Sequence, residues 1–185
     1  KKDGNAHHMS EEDKLYLGHR KRLKERFSIS PTSLPDYEIV ELILFAAIPR
    51  KDVKPLAKKL LKSHTTILDL ICSSEEKLAE IDGVTDAVIA ALKLHKEVLI
   101  RSLKSEIMSK NILSSWSSLI EYLRVSQGNN KTEQFRVMFL NKKNILIADE
   151  LQEVGTIDQT PAYPREIVKR SLFHEASALI LVQIG

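Results

Sequence analysis

A chain of 185 residues, 43% hydrophobic and 29% charged, has the length for one large or two small domains and the composition of an ordinary globular protein. Its longest apolar runs, at 39–48 and 176–182, fall well short of the roughly 18 residues a transmembrane helix needs, and no secretory signal is read. The single cysteine, Cys72, excludes an internal disulfide and points to the reducing cytoplasm. It sits on an apolar helix end, where a small buried hydrophobe fits better than a nucleophile. His7, His8 and Met9 look like a tag remnant before a native start, so residues 1–8 are set aside from fold reasoning.

The formal charge of +3 is unevenly spread: residues 1–110 hold 20 Lys and Arg against 17 Asp and Glu, and residues 111–185 hold 8 against 8. The excess gathers in two clusters, each with six basic residues and one acidic. The first lies on a helix read over 14–27 and includes Arg20, Lys21 and Arg22. A second helix, 37–48, is started by Pro35 and ended by Pro49, with an apolar face of Ile39, Val40, Leu42, Ile43, Leu44 and Phe45. Asp52 caps a third helix through Lys62, with Val53, Leu56, Leu60 and Leu61 inward and Lys54, Lys58 and Lys59 outward. If the first and third helices pack side by side, their clusters form a positive ridge that attracts phosphates by counterion release. The plain alternative is a solvated helix face.

A short helix over 74–79 follows, with Ser73 and Glu76 in capping-box spacing, and then a long apolar-periodic helix over 86–103. Ile81, Asp82, Gly83 and Val84 join them. The arrangement resembles the helix-hairpin-helix motif, in which glycines let backbone N–H groups approach a DNA phosphate. Thr85 stands where that motif has its second glycine, and Asp82 and Asp86 flank the turn with negative charge. A purely structural turn therefore stays open as the other reading.

Residues 105–115 lack a clean period, which places a domain boundary near Asn111 and divides the chain into 9–110 and 111–185. Beyond a polar loop at 126–132, where Gly128 and Asn129 suit a turn, the pattern predicts strands over 134–140 and 144–151, a helix over 163–175 and a strand over 176–182. His19, His64, His95 and His174 include no pair at the i, i+4 spacing of a helical zinc motif. By spacing alone, Glu133 is an exposed charge at the start of a strand.

Several blocks carry a family resemblance. LSSW at 113–116, EQFRVMFLNKKN at 133–144, LIADE at 146–150, Gly155-Thr156, YPREIVKRSL at 163–172 and ASALILV at 176–182 resemble the bacterial RadC proteins. GHRKRLKERF at 18–27, the run at 34–61 and LAEIDGV at 78–84 are similar to the helical N-terminal domain of the same family. The resemblance implies an all-α N-terminal domain followed by an α/β JAMM/MPN-type domain, an α+β chain in sum. In that domain a glutamate works with a His-x-His-Pro-Ser-Gly loop and a later aspartate at a zinc site. Glu133 matches the glutamate and would be the general base on zinc-bound water. Where the family has Leu-Val-His-Asn-His, this chain has Leu181, Val182, Gln183, Ile184 and Gly185.

The expectation is thus a JAMM/MPN-like domain truncated before its metal-binding motif, with no metal site and no cofactor in this chain, although an intact relative would hold zinc. Such a domain would leave an apolar sheet face and an unpaired edge exposed, open to a complementing chain or a second copy. Besides a structural or interaction role with such a partner chain, two functions are carried forward. One is a zinc-dependent hydrolase of peptide or isopeptide bonds, inactive as given. The other is sequence-independent DNA binding in repair or recombination, through Arg20, Lys21, Arg22, Lys54, Lys58, Lys59 and Gly83.

Overall fold

A computed structural model describes residues 11–128, 133–152 and 164–184. Two compact units divide the chain, Lys1–His95 and Lys96–Gly185. The division falls within a helix, upstream of Asn111.

Unit 1 is helical: α1 (Glu11–Ile29), a short 3-10 turn (Pro31–Ser33), α2 (Asp36–Ala47), α3 (Lys54–Ser63), α4 (Ile67–Cys72), α5 (Glu75–Ala79) and the start of α6 (Asp86–Met108). Each helix sends one leucine into a common core, Leu23, Leu44, Leu60, Leu70, Leu78 and Leu92, all at most 1% exposed. Burying a leucine stabilises by about 2 kcal/mol, and this shared burial holds helices as short as α4 and α5, which would not persist alone. Side-chain oxygens satisfy the helix starts. Asp52 accepts from the Lys54 N–H at 3.0 Å, Thr66 from Asp69 at 3.0 Å and Thr85 from Val88 at 3.4 Å. The α5 cap falls one residue later than the sequence suggests. Ser74 accepts from the Lys77 N–H at 3.3 Å, while Ser73 is fully buried at the end of α4.

The α2 face is less apolar than its sequence implies. Glu38 and Glu41 lie on the same helical stripe as Phe45 and are buried. The facing helix supplies their partners. His19 Nε2 lies 2.6 Å from Glu41 Oε2, and Arg26 Nη1 donates to Glu38 Oε1 at 3.0 Å. Because 19 pairs with 41 and 26 with 38, the two helices run antiparallel. Buried carboxylates require such partners.

Unit 2 holds the rest of α6, α7 (Trp116–Gln127), β1 (Gln134–Leu140), β2 (Leu146–Gln152), α8 (Pro164–Phe173) and β3 (Ala178–Ile184). The strands form one sheet in the order β2-β1-β3, antiparallel at both junctions. The α+β class is as read. The sheet's antiparallel pairing, however, means that the rule placing sites beyond the carboxyl ends of parallel strands has no purchase here. Met138 and Leu140 pack with Ile107, Leu119 and Tyr122 in the core on one face. On the other, the His174 ring lies 4.7 Å from that of Phe139. Asn141 shapes the β1–β2 turn, its Oδ1 accepting from the N–H of Lys143 at 2.9 Å and of Ile145 at 3.0 Å.

Among the boundaries that differ from the sequence reading, two have clear local causes. Helix α6 continues to Met108 through the expected connector, because Ile107 is fully buried and extends the helix's apolar face. Strand β3 starts at Ala178 because the preceding residues close α8: Glu175 takes φ 54°, and the Ala176 N–H donates to the Ser171 carbonyl at 2.9 Å. Gly155, Thr156, Tyr163 and Asn129 lie outside the described residues.

Candidate functional site

In unit 1 the turn from α2 to α3, the first half of α3 and the α5–α6 hairpin enclose an open cleft of about 920 Å³. Ala47, Ile48, Pro55 and Leu56 contribute apolar lining. Arg50, Lys51, Asp52, Lys59 and Asp82 are polar or charged residues of its lining. Gly83 contributes the hairpin backbone. Its φ of 92° belongs to the left-handed region, which a Cβ disfavours, and the Val84 N–H closes the turn onto the Ile81 carbonyl at 3.0 Å. Lys59 ties the hairpin to α3: its Nζ donates to the Asp82 carbonyl at 3.1 Å and lies 3.3 Å from Asp82 Oδ2. Arg50 and Lys51 are exposed and form no ion pair among the described residues. Both belong to the second basic cluster of the sequence, residues 50–62, but only the folded turn shows that both border a cleft.

The other basic candidates separate into groups. Lys54 and Lys58 hold their ammonium groups 5.7 and 5.2 Å from the Tyr37 ring centroid, within cation–π range. Lys21 and Arg22 are exposed on α1 and do not line the cleft. Arg20 is not a surface cation at all, which corrects the sequence reading. It is 8% exposed and donates to the carbonyls of Phe45 at 3.3 Å, Ile48, and Lys51 at 2.7 Å. Its guanidinium also stacks 4.4 Å from the Phe45 ring centroid. Burial lowers its pKa from the ordinary value. A guanidinium engaged with three carbonyls has little left for a phosphate.

In unit 2 two ionic clusters flank the sheet. On one side Arg136 Nη1 donates to Asp149 Oδ2 at 2.6 Å, and the Tyr122 hydroxyl donates to the same oxygen. Burial, then the bond to Asp149, pushes the Tyr122 hydroxyl up to about 12. On the other side Arg170 Nε donates to both Glu150 oxygens at 3.0 Å, and His174 Nε2 lies 2.6 Å from Glu150 Oε1. The Arg170 hydrogen bonds hold the Glu150 carboxyl down at about 2. Glu133, the candidate general base, is exposed one residue before β1.

A zinc site needs about three converging donors and an open position for water. Among the described residues no three His, Cys, Asp or Glu side chains come together that could hold a metal. The His–carboxylate pair Glu150 and His174 has an arginine as its third member, whose charge repels a cation. These residues do not fit a zinc ion.

A family model described as the RadC-like JAB domain matches residues 113–184. The UPF0758 protein SPO0054 of Ruegeria pomeroyi is similar to this chain, 48% identical over 165 residues that cover 89% of the chain and 74% of that relative. On that similarity the chain belongs to the RadC-like JAB domain family. No solved structure matches. Among the described residues no helix is long and apolar enough to cross a membrane.

Proposed function

We propose that unit 1 binds the phosphate backbone of DNA without reading its sequence, and that the α5–α6 connection works as a helix-hairpin-helix element. One observation carries the reading: Arg50, Lys51, Lys59 and the Gly83 backbone border one cleft. A phosphate there would meet lysine and arginine donors beside the hairpin backbone, charge-assisted partners suited to oxyanions. Lys54 and Lys58 stand on the same helix as Lys59 and extend the positive surface away from the hairpin. Binding of this kind is strongly salt-dependent, with a slope of about 0.9 per phosphate neutralised.

The test is a fluorescence-anisotropy titration of a labelled oligonucleotide at several salt concentrations. Replacing Lys54, Lys58 and Lys59 together by alanine is expected to weaken binding about equally for unrelated sequences and to lower the salt slope by about one for each lysine that meets a phosphate. Unchanged affinity in the triple variant would sink the proposal.

A second reading rests on the family match to residues 113–184. Unit 2 belongs to a domain type whose resemblance implies a zinc hydrolase of peptide or isopeptide bonds, with Glu133 as base. The described residues do not assemble a zinc site, so no catalytic step is assigned to them, and unit 2 is read as a scaffold. Elemental analysis of the protein purified without chelators tests this reading. Less than about one-tenth zinc per chain supports the scaffold, and one zinc per chain restores the hydrolase.

A further inference from the structure

The cleft has a feature that backbone binding alone does not use. A surface that only follows phosphates needs charge and hydrogen-bond donors. Here the donors share a recess with an apolar lining from Ala47, Ile48, Pro55 and Leu56. Its volume of about 920 Å³ is ample for a nucleobase, and it is held open by fixed parts. Arg20 pins the carbonyls of Ile48 and Lys51 in one wall, and Lys59 pins the Asp82 carbonyl in the other.

We infer that this recess receives an unpaired nucleobase whose neighbouring phosphate is held by Arg50 and Lys51, so that the protein prefers single-stranded or locally unpaired DNA to duplex. The inference rests on the DNA-binding reading and adds its substrate class. Charge complementarity selects the occupant. An apolar peptide side chain would suit the apolar lining but gives Arg50 and Lys51 no partner, whereas a nucleotide presents a planar apolar face and an anion on one unit. Asp52 and Asp82 also border the recess. The Asp52 carboxylate accepts the Lys54 N–H, and that of Asp82 lies beside Lys59, so each is partly offset by a donor of its own. In a duplex the bases are stacked and paired, and withdrawing one costs a few kcal/mol, which a strand already single does not spend.

The test uses the full chain and three labelled ligands at one salt concentration: an oligothymidylate, the same strand with abasic sites throughout, and a duplex of equal length. The abasic strand keeps every phosphate and loses every base. The expected result is about tenfold weaker binding of the abasic strand than of the intact one, with the duplex no tighter than the abasic strand. A filling variant, Ala47→Met, is expected to erase the difference between intact and abasic strands. Equal affinity for intact and abasic strands would overturn the base recess and leave backbone binding standing. Failure of all three ligands to bind would overturn both. If Ala47→Met unfolds, as circular dichroism would reveal, the comparison of ligands still decides.

Discussion

Arg20 illustrates what a residue's neighbours do to its charge. Its three carbonyl partners end α2 and shape the following turn, and no other described donor reaches the Ile48 or Lys51 oxygens. Replacement by alanine leaves these carbonyls without the donor and opens a gap against Phe45. The expected loss is about 3 kcal/mol in urea unfolding, and Arg20→Lys does not restore it, since one ammonium cannot reproduce the planar fork. Tyr122 supports a second prediction. Its pKa is raised from 10.0 to about 12 in the fold, so its contribution to stability is complete below pH 10 and disappears as pH rises through 12. Tyrosinate absorbance should show the phenol missing from Tyr122→Phe ionising only near pH 12. Ionisation near 10 would mean that neither the burial of the hydroxyl nor its bond to Asp149 holds in solution. Neither role is legible in the sequence. Arg20 sits among Lys21 and Arg22 with nothing local to distinguish it, and the partners of Tyr122 lie 14 and 27 positions along the chain.

At the scale of elements, α8 is fastened to β2 by Arg170 and His174 closing on Glu150. The carboxyl is depressed from 4.5 to about 2. A depressed carboxyl stabilises fully above its unfolded pKa, and that stability is lost as pH falls from 4.5 towards 2. Partial exposure screens the pair, leaving a contribution on the order of 1 kcal/mol. The urea midpoint of the protein should therefore drop across this window, and Glu150→Gln should start lower and drop less. Identical acid limbs would show that α8 is held by its other contacts alone. The elements themselves were largely readable. β1 coincides with its predicted span because QFRVMFL is bounded by a polar loop and a turn, and Pro35 marks the start of α2. The misses have local causes. The Glu175 turn consumed residues that look like strand, and Glu38 and Glu41 were hidden inside an apolar stripe whose neutralising partners are on another helix.

Across the whole molecule, the basic excess of the first 110 residues was visible as a number, but its sorting was not. Folding sends one arginine inward, leans two lysines on Tyr37 and brings Arg50, Lys51 and Lys59 to a cleft. The cleft itself could not be read, because the α2–α3 turn and the α5–α6 hairpin that wall it are distant in the chain. Family membership, by contrast, was legible in ordered blocks such as EQFRVMFLNKKN and YPREIVKRSL. The turn that Arg20 anchors is also a wall of the cleft, and this bears on how mutational data would be read. In an alanine scan of the DNA binding proposed for unit 1, Arg20 would score as a hit, with the profile of a direct ligand. Its salt dependence would betray it: removing a residue that meets a phosphate lowers the slope by about one, whereas a collapsed wall reduces affinity with the slope unchanged. The residue to which a scan would assign the strongest claim as a DNA ligand would then be one that never touches the strand.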